Sequence, residues 1–194
     1  MARVKYLEKS DVNEELRWIY DKYEGYGRFM NQVRVFSHRP VLLKHLMGML
    51  LEMAEEPIVD KRHTEIALVA VSKLNECRYC VAHHVPRLLD TGLEPETASR
   101  ILDEDCPGLT ELDRLVRDYA VQVTLDSKKV SEDLFAKLQS FYTEAQIVDL
   151  TCRITMCGFF NRFNEALRID IEDGVIEDLM SKGGDLSELP RSLD

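Results

Sequence analysis

Four things are scarce in this 194-residue chain, and each scarcity removes a class of protein. Runs that alternate apolar and polar residues are nearly missing, which argues against a fold built on a sheet. No apolar run is long enough to span a bilayer: the greasiest region, Val41 to Met53, is interrupted by Lys44 and His45, so no membrane partner is expected. Excess positive charge is absent as well. Twenty-five Lys and Arg stand against 35 Asp and Glu, a net charge of −10 spread along the whole chain, which serves solubility and makes nucleic acid an unexpected partner. Paired cysteines are lacking in number too, since five is odd, and residues 1–6 carry Arg3 and Lys5 where an apolar leader would be greasy. The expectation is a cytoplasmic, reducing setting, where a cysteine pair is redox-active or metal-binding and no disulfide staple is required.

What is present is helical periodicity over nearly the whole length, enough to bury one sizeable core, so the fold class expected is all-α and single-domain. Ser10, Asp11 and Glu14 suggest a cap before a first helix that ends near Gly25, and Gly25-Tyr26-Gly27 reads as a hinge. A short helix is expected over Met30 to Phe36 and a greasy one from Pro40 to Met53. Asp60 caps the next, which leads towards two cysteines; the helix after Cys77 should run to Thr91, with Gly92 as terminator and a kink where Pro86 sits inside it. Further helices are expected at Pro95 to Leu102, Thr110 to Leu125, Ser131 to Phe141 and Thr143 to Ile169. Thr64-Glu65 and Thr143-Glu144, with Val69 and Val148 in register, suggest a weak internal two-fold repeat.

The reactive stretch is Cys77-Arg78-Tyr79-Cys80-Val81-Ala82-His83-His84, which holds two of the five cysteines and two of the five histidines. A C-x-x-C spacing puts two sulfurs on one helical face about 5–6 Å apart at Cβ, suited to a reversible disulfide, and His84 lies four residues on, on the same face. If the pair opens a helix, the free amides and positive dipole end favour a thiolate, the attacking form of a thiol. Glu65 joins the group by geometry. Were one straight helix to carry it and Cys77, they would be roughly 18 Å apart. If the chain instead turns back at Asn75 and Glu76, Glu65 and His84 lie side by side in an antiparallel pair, a carboxylate meeting an imidazole one turn from a thiol.

With Glu65, eleven intervening residues, Cys77-x-x-Cys80 and three more before His84, extended by Asn161-Arg162-Phe163-Asn164, the chain resembles the alkylhydroperoxidase D-like branch of the carboxymuconolactone decarboxylase superfamily. The resemblance covers roughly residues 40–170. It divides the chain into an N-terminal helical extension (1–39), a core (40–173) and a loosely packed acidic tail (174–194). It implies an all-helical, homo-oligomeric enzyme without a bound cofactor or metal, in which Cys80 attacks a peroxide substrate, Cys77 resolves it, and Glu65 and His84 relay the proton. The reductant it implies is a dithiol, dihydrolipoamide or a thioredoxin-like protein. Relatives carry a histidine just before the second cysteine; Tyr79 stands there, and Tyr79 and His83 are secondary candidates.

Competing readings attach to the same residues. The superfamily also implies a lactone decarboxylase, a chemistry that needs no cysteine pair, and a non-enzymatic reading makes the sulfurs a redox sensor or half of a zinc site. Cys106, Cys152 and Cys157 read as small core residues, His38, His45 and His63 as surface or cap residues, and Met47, Met49 and Met53 as core or interface filler.

Overall fold

The computed structural model describes residues 2–26, 28–186 and 189–190, and among these there are helices, turns and no strand. The fold class is all-α, as the periodicity requires. The helices are α1 (Arg17–Tyr26), α2 (Met30–Phe36), α3 (Pro40–Leu42), which passes through one π-helical turn (Leu43–Met47) into α4 (Gly48–Glu55), α5 (Lys61–Leu74), α6 (Arg78–Leu89), α7 (Pro95–Ser99), α8 (Glu111–Asp126), α9 (Glu132–Phe141), α10 (Glu144–Leu167) and α11 (Val175–Ser181). Gly27 of the expected hinge lies outside the described residues. Asp60, Thr110, Ser131 and Thr143 each accept a backbone N–H of their helix's first turn, and Thr110 with Asp113 and Thr143 with Gln146 close capping boxes; the cap expected at Ser10 and Asp11 does not form, because these residues lie in a 3-10 turn (Lys9–Asp11) six residues ahead of α1. No helix of the described residues is long and apolar enough to cross a membrane.

α5 is the axis. It packs against α6, α8 and α10, so its side chains are buried nearly all round, including Ile66, Val69 and Val71, and each such burial contributes ~1.5–3 kcal/mol over exposure. These helices, with α9 and α11, enclose one apolar cluster. A second cluster is built by α1, α2, the π turn and α4 against Phe160 of α10, and the cysteine pair belongs to it. The N-terminal region is therefore not a separable extension: it supplies much of the second apolar cluster, to which the sulfurs belong. Nor is the tail loose from residue 174 onward, because Val175 and Leu179 of α11 are buried against α6. The proposed repeat fails at its own markers. Thr143 is the cap of α10 while Thr64 lies inside α5, and Val69 is fully buried where Val148 is 69% exposed.

His63 is likewise no surface residue. It is half-buried between the hydroxyl of Tyr142 (2.6 Å) and Asp113 (3.5 Å), and Asp113 is gripped by Arg62 at 2.7 Å, which ties the starts of α5 and α8 to the end of α9.

The joint between α5 and α6 sets the site. Glu76 adopts a left-handed conformation (φ 52°), its N–H bonds the Lys73 carbonyl at 3.1 Å, and the next N–H, of Cys77, reaches back to the Ser72 carbonyl at 3.0 Å. This is a Schellman closure with Glu where Gly is preferred, and it reverses the chain in two residues so that α6 starts beside the end of α5. Because the left-handed region costs a side chain about 1–2 kcal/mol, partly offset by the larger unfolded-state entropy of glycine, Glu76→Gly should stabilise the fold by ~0.5–1 kcal/mol. A urea midpoint at or below the parent's would show that the joint is not strained.

Candidate active site

Three helices contribute one stripe each. α5 presents Glu65, Leu68 and Ser72; α6 presents Cys80, His84 and Arg87; α10 presents Cys157, Phe160, Asn161 and Asn164. These spacings are what a 3.6-residue period puts on one face.

Cys77 caps α6. The N–H of Cys80 donates to its sulfur at 3.3 Å, and Glu165 of α10 accepts the N–H of Arg78 at 3.0 Å, placing an acid where the helix dipole favours one. Both thiols are free, with their sulfurs 2.7 Å apart. The helix start does not win at Cys80. Burial, followed by the sulfur of Cys77 and then that of Cys157, pushes its thiol well above the usual value, so in this pocket its proton has to be taken off by a neighbour.

Glu65 and His84 meet, as the antiparallel reading requires. One carboxylate oxygen of Glu65 bonds Nδ1 of His84 at 2.8 Å and the other accepts Nε–H of Arg87 at 2.8 Å, with the carboxylate 1% exposed. Burial raises the Glu65 carboxyl, but the charges and hydrogen bonds of His84 and Arg87 outweigh it and hold the group below its ordinary value. Arg87 itself is fixed by the Tyr26 carbonyl (3.2 Å) and lies over the rings of Tyr26 and Phe29. Sequence reasoning passed over Arg87, although its place three residues after His84 was a usable signal.

A cavity of about 620 Å³, counting its open mouth, lies over this group. Cys80 and His84 line it; Cys77 and Glu65 stand behind them. Its walls include five aromatic rings, Tyr23, Tyr26, Phe29, Tyr79 and Phe160, and the first three come from the N-terminal region. Cys157 also lines it. Burial pushes that thiol up to about 12, and Ser72 lies 3.4 Å from its sulfur, so the plain core reading of Cys157 needs amending: it is a protonated wall residue of the cavity.

The secondary candidates point elsewhere. The Tyr79 hydroxyl donates to Glu172 at 2.8 Å, and burial together with that carboxylate holds the phenol well above its usual value. His83 is bound on one nitrogen by the Tyr79 carbonyl (2.7 Å) and on the other by Glu172 (2.7 Å) and the Arg28 carbonyl (3.0 Å). Tyr79 therefore offers the cavity a ring face and no donor, and His83 ties the segment after α10 to α6. Both imidazoles pack on Phe29, His83 at 4.7 Å and His84 at 5.6 Å between ring centres, but they turn to different carboxylates, Glu172 and Glu65.

Residues 40–107 match the Carboxymuconolactone decarboxylase family. That segment is about a third of the chain and holds Glu65, Cys77, Cys80 and His84. Among curated proteins the chain is 24% identical over 141 residues to the uncharacterized protein YdfG of Bacillus subtilis (strain 168), covering 70% of this chain and 93% of that one. Among solved structures it is similar to the alkylhydroperoxidase AhpD core of an uncharacterized peroxidase-related protein from Ralstonia eutropha JMP134, with TM-score 0.80, 21% identity and coverage of 95% of this chain and 98% of that one. It is similar also to a variant of the debrominase Bmp8 in complex with 2,3,4-tribromopyrrole, with TM-score 0.77, 18% identity and coverage of 94% and 100%. The fold shared with these structures thus extends over nearly the whole chain, and one of the similar structures is that of a debrominase.

Proposed function

We propose that this protein is a thiol-dependent peroxidase acting on organic hydroperoxides. The observation that carries the reading is that Cys80 and His84 face one apolar cavity, while the resolving sulfur and the carboxylate stand directly behind them. His84 takes the Cys80 proton, and Glu65 steadies the resulting imidazolium. The thiolate attacks the terminal peroxide oxygen; an S–O bond forms, the O–O bond breaks, and the alkoxide leaves as alcohol with the proton from His84. Cys77 then displaces water from the sulfenic acid, closing the Cys77–Cys80 disulfide. A dithiol such as dihydrolipoamide, or a thioredoxin-like protein, restores both thiols by exchange and ends as a disulfide itself.

The test is consumption of cumene hydroperoxide with dihydrolipoamide. Saturable turnover is expected, with a Cys77–Cys80 disulfide in protein quenched before the dithiol is added. Failure of every organic hydroperoxide with both dihydrolipoamide and thioredoxin would remove the reading.

The aromatic walls favour a second reading, reductive dehalogenation of a flat ring. The same thiolate attacks a ring-bound bromine, the ring carbon takes the proton from His84, and Cys77 expels bromide to give the same disulfide. Bromide release from a brominated pyrrole in the same assay separates the two. Lactone decarboxylation uses neither sulfur, so the placement of Cys80 on the cavity and Cys77 behind it speaks against that alternative.

A further inference from the structure

Taking a proton from Cys80 leaves an anion among aromatic walls, and burial opposes that charge more than anything else around it. Of the groups at the sulfur or lining its cavity, α6 supplies Cys77, the ring of Tyr79 and His84, and Glu65 of α5 stands behind His84. α10 supplies Cys157, Asn161 and Asn164, with Arg153 at the cavity wall already bound to Asp149 (2.6 Å) and the Met53 carbonyl (2.8 Å). α1 contributes the phenols Tyr23 and Tyr26, and α2 contributes Gln32, which carries no charge. Arg153 is thus committed elsewhere, and no guanidinium is left to answer the thiolate.

A carboxamide takes that place. Nδ2 of Asn164 lies 3.3 Å from the Cys80 sulfur. Which end of an amide faces a partner is decided by what holds its other end, and here Nε2 of Gln32 donates to Oδ1 of Asn164 at 3.0 Å. With its oxygen occupied, Asn164 turns its NH2 to the sulfur. Both residues are buried, Asn164 at 1% exposure. A neighbouring amide repeats the pattern one turn earlier on α10: Asn75 donates to Oδ1 of Asn161 at 2.9 Å, and the Asn161 NH2 lies 3.6 Å from the Cys157 sulfur.

We propose that Asn164 is a catalytic residue that donates to the Cys80 sulfur and stabilises its anion, and that Gln32 of the N-terminal region is the positioning residue that keeps the donor face inward. A donor aimed in advance at the charge that forms is the general device for lowering the cost of an anion in a dry site.

The inference rests on Cys80 being the reactive sulfur, and its test reads the thiol directly. The rate of iodoacetamide alkylation at Cys80 is followed by peptide mass spectrometry across pH for the parent, Asn164→Asp, Gln32→Glu and Gln32→Leu. Asn164→Asp, which keeps the shape and removes the donor, is expected to slow alkylation at neutral pH about tenfold or more, moving the midpoint up by about one pH unit. Gln32→Glu, which draws the Asn164 NH2 away from the sulfur, and Gln32→Leu, which keeps the bulk without the donor, should shift it the same way by about threefold. A packing role predicts otherwise, since Gln32→Leu would then leave the midpoint in place. Parental midpoints in both Gln32 variants, with parental circular dichroism, overturn the proposal even if Asn164→Asp does not fold. Peroxide turnover measured alongside keeps the two readings apart. A parent that shows the alkylation shifts and no turnover retains the donor pair and loses the peroxidase assignment.

Discussion

Cys80→Ser is expected to remove dithiol-dependent peroxide turnover, a fall on the order of a thousandfold or more, because a serine hydroxyl cannot pass through the sulfenic acid that the cycle requires. Cys77→Ser should fail differently. Cys80 still meets peroxide from the cavity, but nothing stands behind it to close the disulfide, so one equivalent of hydroperoxide is consumed and the product is a Cys80 sulfenic acid that dimedone traps. The contrast follows from position: Cys80 lines the cavity, and Cys77, 2.7 Å away, does not. If Cys80→Ser kept the parental rate, or if dimedone labelled position 77 in a Cys80→Ser protein, the roles of the sulfurs would have to be exchanged or abandoned.

The second large effect belongs to Glu65, and it falls on stability as well as activity. Glu65→Ala leaves Arg87 and His84 facing an empty buried site, and breaking a buried ion pair from one side costs about 3–5 kcal/mol. Replacing both partners, Glu65→Leu with Arg87→Met, should recover much of that stability while leaving the enzyme inactive, because no charge is then stranded and no carboxylate backs His84. A urea titration of the parent and both variants checks this, and a double variant no more stable than Glu65→Ala would show that the pair is not what holds the helices together. The pH dependence has a definite sign. The Glu65 carboxyl is held below its ordinary value of 4.5, so its stabilisation is complete above that value and is lost as pH falls through the lower folded one. Relative to Glu65→Gln, the parent should lose stability more steeply on that acid limb.

The sequence carried the helical architecture and the centre of the site because both depend on short-range spacing. Caps at Asp60, Thr110, Ser131 and Thr143 are local chemistry, and the meeting of Glu65 with His84 follows once a reversal at Asn75 and Glu76 is granted. What the sequence hid is what arrives from a distance. Gln32, Tyr26 and Phe29 carry no motif, and nothing local shows that α1 and α2 fold over the sulfurs. Glu172 reads as one acid among 35, yet it fixes Tyr79 and His83 through two hydrogen bonds and takes the N–H of Asn31 at 2.7 Å. His63 looked like a helix-start residue because its partners, Asp113 and Tyr142, are 50 and 79 positions further along the chain. The tail read as loose because it is acidic and punctuated by Gly183-Gly184 and Pro190, yet Val175 and Leu179 of α11 are buried.

The Cys80 sulfur lies where two greasy interiors abut, and one of them joins the first two helices, which precede the family segment at residues 40–107, to the π turn and α4 within it. Parts of a fold open at free energies below that of global unfolding. In the proposed peroxidase cycle, lifting of the first two helices would leave the same sulfur in bulk water, open to the irreversible acids that lie further up the oxidation ladder.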